Sequence, residues 1–242
     1  MIENTSSDNH PEAIISACWR KNAVAWREAI AAAQIASRVL VTNAAIMAAI
    51  LAQDPGYLLD LGCGEGWLCR RLWQEKQQQP GLAHCEIMGV DASQELLDIA
   101  LALNPDPEIR FQAVDYFNLR SVFSGQRPFD TIVCNFSLLG EHSVAAVFAA
   151  LPQILAPGGR LIVQTLHPES QPAEIRSQPD RWHAGSWDGF SSAFRDPAPW
   201  FYRQRSSWRG LFAAAGLTLQ EINPQHPETE APLSAILIGH RP

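Results

Sequence analysis

LLDLGCGEGWL, at residues 58–68, is the stretch that decides the fold of this chain. An apolar run typical of a buried strand ends at Leu61, and glycines alternate with other residues directly after it. A helix is predicted to begin at about Gly66. Because glycine carries no Cβ, it permits a tight turn and a close approach of backbone to ligand. A glycine turn between a strand and a helix predicts a site for a nucleotide-type cofactor.

The segments that follow alternate between strand-like and helix-like patterns. Strands are predicted at 57–61, 85–90, 109–113, 129–134 and 160–164, with two last strands at 217–222 and 234–239. Helices are predicted at 66–76, 93–103, 143–155 and 207–215, the last one capped by Ser206. Strands that alternate with helices indicate an α/β fold, a doubly wound, mostly parallel sheet with helices on both faces.

The chain is predicted to form a single domain over residues 1–242, which divides into four segments. An alanine-rich helical cap covers 12–53, where Thr42 is a candidate cap of a second helix. The other segments are a cofactor-binding core at 57–167, an aromatic-rich substrate insert at 168–205, and the last helix and strands at 206–242.

Composition limits the classes of partner. The 242 residues carry a formal net charge of -7, and the only lysines are Lys21 and Lys76, so a basic nucleic-acid surface is not expected. The five cysteines form no CxxC pair, which is typical of reduced, buried thiols in a cytoplasmic protein. No signal peptide or membrane-spanning stretch is expected. We expect no metal, and a homodimer is compatible with the sequence.

Acidic and amide side chains follow successive strands of the predicted sheet. Asp91 ends the second strand, Asp115 and Tyr116 follow the third, and Asn135 follows the fourth. In open parallel sheets ligands bind at the carboxyl edge, where a carboxylate after the second strand accepts both hydroxyls of a ribose. The alternative for both aspartates is a helix or turn cap.

This set resembles the class I S-adenosylmethionine-dependent methyltransferases. The matching pieces are LLDLGCGEGWL at 58–68, GVDAS at 89–93, AVDYFNL at 113–119, FDTIVCNFSLL at 129–139 and LAPGGRLIVQTLHP at 155–168. The resemblance implies a seven-stranded Rossmann-like sheet whose last strand is antiparallel. It also implies S-adenosylmethionine as cofactor and S-adenosylhomocysteine as product. Within the superfamily, the chain is most similar to small-molecule enzymes of the ubiquinone-biosynthesis type.

The resemblance assigns cofactor-binding roles to residues at the strand ends. The glycine turn, with Gly62 and Gly64, meets the methionine part of the cofactor. Asp91 and Ala92 lie at the ribose, and Asp115 and Tyr116 lie near the adenine. Asn135 completes the edge, and Asp60 either contacts the cofactor or supports the turn by accepting backbone N–H groups.

Residues for the acceptor and for proton transfer are less defined by sequence. His167 after the fifth strand is a candidate general base, although a His-Pro turn also ends strands. Glu141 is a second candidate, or a first-turn helix charge. Trp200 and Tyr202 belong to an aromatic group that either lines the substrate or holds the insert down. In the cap, Trp26 is a candidate substrate contact and Arg38 a candidate for the methionyl carboxylate. Otherwise, the helix packs on the sheet with Arg38 exposed.

A glycine loop of this kind is also compatible with two other classes of protein. One is a nicotinamide-dependent oxidoreductase, against which the chain lacks a Tyr-x-x-x-Lys pair. The other is a non-catalytic S-adenosylmethionine-binding protein. The sequence favours methyl transfer to a small-molecule acceptor, by in-line attack of an O, N or C nucleophile on the sulfonium methyl.

Overall fold

The computed structural model describes residues 10–79, 81, 84–104 and 106–242. Its α-helices are α1 (Pro11–Ala31), α2 (Asn43–Leu51), α3 (Trp67–Gln78), α4 (Gln94–Ala102), α5 (Leu119–Phe123), α6 (His142–Ile154), α7 (Ala173–Arg176) and α8 (Arg205–Ala214). Its strands are β1 (Tyr57–Leu61), β2 (Glu86–Asp91), β3 (Ile109–Ala113), β4 (Phe129–Asn135), β5 (Leu155–Thr165), β6 (Arg181–His183), β7 (Trp200–Tyr202), β8 (Thr218–Ile222) and β9 (Ala235–His240).

Seven strands form one sheet in the order β3-β2-β1-β4-β5-β9-β8. The first five in that order pair in parallel, and β9 runs antiparallel to both of its neighbours. All residues of β1 are buried, because helices cover both faces of the sheet. The predicted fold class is therefore confirmed, including the antiparallel strand that the family resemblance implied.

The N-terminal helices differ from their prediction. The first helix ends at Ala31, and a second helical run begins at Ala36, so the break precedes the predicted one at Thr42. The cap predicted for Thr42 is wrong, because Thr42 lies inside that run and makes no side-chain cap. Residues Arg38–Thr42 form a π-helical turn that continues directly into α2. Single π-turns inside α-helices are frequent at functional sites.

The aromatic-rich insert contains structure that its sequence does not show. Its β6 and β7 pair antiparallel as a separate two-stranded sheet, with Trp182 opposite Phe201. The Ser206 cap is also wrong, since α8 begins at Arg205 with Gln204 at its N-cap. The backbone N–H of Gln204 donates a hydrogen bond to the Asp180 carboxylate at 2.8 Å.

Contacts between α1 and the insert join two segments that lie far apart in sequence. The Asn22 side chain accepts from the Arg195 N–H and donates to the Arg195 carbonyl, both at 2.8 Å. Trp19 packs edge-on against Trp187, with ring centroids 6.1 Å apart. The insert therefore holds α1 in place over the sheet. Of the described helices, none is long and apolar enough to cross a membrane.

Candidate functional site

One large cavity opens at the carboxyl edge of β1, β2, β3 and β4, beneath α1. It encloses about 1170 Å³ of space free of protein atoms, counted up to its open mouth. Part of this space is open to solvent, so the site is a cleft and not a closed chamber. Trp26, a predicted substrate contact, lines this cavity. So do all residues that the sequence assigns to the cofactor, which are Asp60, Gly62, Gly64, Asp91, Ala92, Asp115, Tyr116, Asn135 and Arg38.

The glycine turn needs its glycines for two different reasons. Gly62, Gly64 and Gly66 all have positive φ, a region that other residues rarely occupy. A Cβ on Gly62 would collide with Tyr116 and Ser137, so this glycine serves packing. A Cβ on Gly64 would meet only the Trp26 indole nitrogen, at 3.9 Å, and would otherwise project into open space. Gly64 thus leaves its backbone open to the cavity.

Asp91 holds the turn and the start of α4 together. One carboxylate oxygen accepts the Gly64 N–H at 2.9 Å, and the other accepts the Ser93 N–H at 2.8 Å. Burial raises the pKa of Asp91, and these backbone N–H groups act in the opposite direction. A carboxylate oxygen can accept more than one hydrogen bond, so both oxygens of Asp91, which lines the cavity, can accept another. The cap of α4 is Ser93, whose hydroxyl accepts the Leu96 N–H, and the hydrogen bonds of Asp91 are those of a turn cap. Its role at a ribose stays a prediction.

Asp60 is an acid with very little access to water. It is 1% exposed, and burial raises the pKa of its carboxyl to about 7. In the described part of the chain, its one hydrogen-bond donor is the Cys69 thiol at 3.5 Å. The alternative in which Asp60 accepts backbone N–H groups of the turn therefore finds no support in the hydrogen bonds.

The third strand end supplies a flat apolar surface beside an acid. Asp115 accepts the Phe117 N–H at 2.8 Å and begins a short 3-10 turn. Phe117 lines the cavity although 55% of its surface is exposed. The Tyr116 hydroxyl reaches the Ser137 carbonyl at 3.4 Å, and burial raises the pKa of this hydroxyl well above its usual range. An aromatic ring with a neighbouring acceptor suits a planar heterocycle with an amino group.

Arg38 is held over the cavity by aromatic rings. Its guanidinium lies 4.9 Å from the Trp67 ring centroid and 5.7 Å from that of Trp26, and it donates to Asn43 at 3.1 Å. No described carboxylate forms an ion pair with it. Burial lowers the pKa of Arg38. Arg38 is the first residue of the π-helical turn that precedes α2.

The end of β4 contributes strained and unsatisfied groups. Phe136 has φ of +54° although it is not glycine, a conformation associated with functional sites. The Asn135 amide oxygen is buried and accepts from no described residue. Buried polar atoms normally have partners, so this oxygen is available to a donor on a ligand.

One face of α1 forms the roof of the cavity. Its lining residues are Glu12, Ile15, Ser16, Trp19 and Trp26, which follow the spacing of a single helical stripe. The Glu12 carboxylate accepts three backbone N–H groups at the start of α6: those of Glu141 at 2.9 Å, His142 at 2.8 Å and Ser143 at 3.2 Å. A carboxylate is favoured at a helix N-terminus. The i, i+3, i+4, i+7 spacing of residues 12, 15, 16 and 19 can be seen in the sequence, but the contact of Glu12 with the start of α6 cannot.

The charges around the cavity are unequal. Five carboxylates belong to its described lining, from Glu12, Asp60, Glu65, Asp91 and Asp115, while Arg38 is the only cation there. Arg70 forms an ion pair with Glu65 from outside the lining. Asp60, whose pKa is raised to about 7, is only partly charged at neutral pH. Glu12, Asp91 and Asp115 then remain against Arg38, an excess of negative charge that favours a cationic ligand.

Four predicted residues lie outside this lining. His167 is buried and its Nδ1 accepts the Glu169 N–H at 3.2 Å, while Glu141 accepts from the Trp182 indole at 3.1 Å. Trp200 and Tyr202 line a separate small cavity with Arg203 and Trp208. The catalytic and substrate roles of these residues stay predictions. The sequence did not single out Glu12, Trp19 or Phe117, which do line the cavity.

Comparison with known proteins gives a family match over most of the chain. Residues 32–222 match the family described as "Methyltransferase domain". The chain is 31% identical over 112 residues to a malonyl-[acyl-carrier protein] O-methyltransferase of Hahella chejuensis, covering 46% of this chain and 37% of that protein. It is also 31% identical over 114 residues to a ubiquinone biosynthesis O-methyltransferase of Xylella fastidiosa, covering 46% of this chain and 42% of that one.

The curated relatives match only in part, since the chain spans about two fifths of their length. A solved structure matches more completely. The 1,6-didemethyltoxoflavin-N1-methyltransferase of Burkholderia thailandensis, with bound 1,6-didemethyltoxoflavin and S-adenosylhomocysteine, has a TM-score of 0.63 at 16% identity. That match covers 98% of this chain and 91% of the other, and at this identity it supports the fold.

Proposed function

The chain belongs to the methyltransferase domain family, and from that premise we propose that it transfers a methyl group from S-adenosylmethionine to a small-molecule acceptor. The proposal is carried by one observation: carboxylates outnumber cations in the described lining of the cavity that joins the glycine turn to Asp91 and Asp115. S-adenosylmethionine brings a sulfonium and an ammonium group, which carboxylates attract. A nicotinamide dinucleotide brings an anionic pyrophosphate, which the same carboxylates repel.

The residues present fit this cofactor part by part. Asp91 has lone pairs for the two ribose hydroxyls, and Phe117 with Asp115 suits the adenine ring and its amino group. Arg38, without an ion-pair partner in the described residues, suits the methionyl carboxylate. The buried, unpartnered oxygen of Asn135 suits the ammonium group. The open space at Gly64 allows the methionyl chain to lie on the backbone.

When bound, the cofactor supplies a methyl group already activated by the sulfonium charge. The protein then has to align an acceptor with that methyl and keep water away from it. Trp19 and Trp26 on α1, together with Leu139 after β4, provide apolar walls for this purpose. The contact of Asn22 with Arg195 keeps α1 seated while the acceptor is aligned.

The test is methyl transfer by the purified chain. We would incubate it with S-adenosylmethionine and a panel of phenols, amines and carboxylates, and detect S-adenosylhomocysteine and methylated products by mass spectrometry. The proposal expects one acceptor class to give product above a no-enzyme control. Cofactor binding with no product from any class would favour the non-catalytic binding protein instead.

A further inference from the structure

The π-helical turn decides which side chain meets Arg38. The backbone N–H of Asn43 donates to the Arg38 carbonyl, five residues back, and so closes the turn. The side-chain oxygen of Asn43 accepts the Nε–H of the same Arg38 at 3.1 Å. In a regular α-helix, residues five positions apart point about 140° away from each other around the axis. The contact between the two side chains therefore depends on the π-helical turn.

Gln164 of β5 fixes the same part of the backbone from the side of the sheet. Its side-chain NH2 group donates to the Thr42 carbonyl at 3.2 Å and to the Ser234 hydroxyl at 3.0 Å. Thr42, Gln164 and Ser234 are all buried, with at most 1% of each residue exposed. The Thr42 carbonyl and the Asn43 N–H belong to one peptide group. This group is thus held by Gln164 at its oxygen and by Arg38 at its N–H.

The guanidinium of Arg38 lies at the glycine-turn end of the cavity. Trp67, the first residue of α3 after that turn, places its ring centroid 4.9 Å from the guanidinium carbon. Trp26, the other ring beside Arg38, also lies next to Gly64. Asn43 takes only the Nε–H, which leaves the Nη groups for a ligand. Guanidinium groups of this kind bind carboxylates in a bidentate manner.

We propose that Asn43 and Gln164 are positioning residues, which hold the Arg38 guanidinium where it binds the carboxylate of S-adenosylmethionine. The assignment rests on the proposed function and deepens it. Neither residue belongs to the described lining of the cavity, so both act through Arg38. Gln164 fixes the peptide group between Thr42 and Asn43, and the Asn43 side chain fixes Arg38. Loss of either residue should therefore weaken only ligands that carry the carboxylate.

The decisive variant is Asn43→Ala. Alanine is a better helix former than asparagine, so the helical run is kept while the acceptor of the Nε–H is lost. We expect the affinity for S-adenosylmethionine, measured by calorimetry, to fall about 10-fold or more, the order expected for one hydrogen bond to a charged group. Decarboxylated S-adenosylmethionine keeps the sulfonium and the amine. Its affinity should change by less than about 2-fold, because it has no carboxylate for Arg38.

The matched control is Gln77→Ala, which removes a side-chain amide at an exposed position of α3. It should leave the affinities for both ligands unchanged. Gln164→Met keeps the length of the side chain without its donor, and should weaken only S-adenosylmethionine. Thermal unfolding gives the temperature range in which each variant is folded, and binding is measured there. If Gln164→Met does not fold, Ser234→Ala frees the Gln164 amide and takes its place, with the same expected result.

A double-mutant cycle with Arg38→Met tests whether Asn43 acts through Arg38. Arg38→Met should itself weaken S-adenosylmethionine, and in that background Asn43→Ala should change the affinity by less than about 2-fold. Wild-type affinity in folded Asn43→Ala, an equal loss for both ligands, or a full effect of Asn43→Ala without Arg38 would overturn the proposal. Absence of S-adenosylmethionine binding to the wild-type chain would instead contradict the proposed function, so the two failures are distinguishable.

Discussion

Asp60 shows how a single residue ties the site to the stability of the protein. Its carboxyl is fully buried with a thiol as its described donor, and burial raises its pKa to about 7. The unfolded chain releases this proton near pH 4, whereas the folded chain keeps it up to about pH 7. The buried acid therefore destabilises the fold increasingly between about pH 4 and pH 7, and by a constant amount above that range.

Asp60→Asn should for this reason stabilise the ligand-free protein more at pH 8 than at pH 5. Between those two pH values the advantage should grow by about 2–3 kcal/mol, because each pKa unit corresponds to about 1.4 kcal/mol. Urea unfolding at both pH values measures it, with the exposed Asp188→Asn as control. An advantage that does not change with pH would contradict the burial of an ionisable Asp60.

At the scale of elements, the turn between β1 and α3 contains a glycine whose role can be tested by substitution. The test separates the need for a left-handed backbone from the need to leave space for a ligand. Gly64 and Gly158 both have positive φ, 56° and 75°, and neither has protein atoms crowding its missing Cβ. Gly158, however, lies at the amino end of β5, on the sheet edge opposite the cavity.

Gly64→Ala and Gly158→Ala should each destabilise the fold by about 1–2 kcal/mol, the cost of a left-handed conformation for alanine. Only Gly64→Ala should also weaken S-adenosylmethionine binding, by 10-fold or more, because its methyl enters the cavity. Chemical denaturation and calorimetry on both variants give the comparison. Equal cofactor affinity in the two would show that no ligand approaches the backbone at Gly64.

The elements also show what the sequence could reveal. The bounds of β1 and β3 match the prediction residue for residue, and the other core strands overlap theirs. For β1 the reason is that a strand buried on both faces is a continuous apolar run. The acids that line the cavity at the ends of the strands were also identifiable, because the ends of parallel strands share one edge. The π-turn at Arg38, the positive φ of Phe136 and the bond from Glu12 to α6 were not. The bond from Glu12 to α6 joins residues as many as 131 positions apart, which local patterns do not encode.

At the scale of the whole molecule, the sheet edge and the N-terminal cap form one site. The sheet provides the carboxylates of Asp60, Asp91 and Asp115, while the cap adds Arg38, Trp26 and Glu12. The aromatic insert reaches the cavity indirectly, through the contact of Arg195 with Asn22 on α1. A change in the insert can therefore alter the roof of the cavity without touching the ligand.

Binding of S-adenosylmethionine in the cavity at the carboxyl edge is the property on which the proposed function depends. Calorimetric titration of the purified chain with S-adenosylmethionine, S-adenosylhomocysteine and NADH tests it most directly. We predict one-to-one binding of both sulfur compounds at micromolar dissociation constants, and no heat with NADH. Binding of NADH, with no heat from either sulfur compound, would show that the cavity is not an S-adenosylmethionine site.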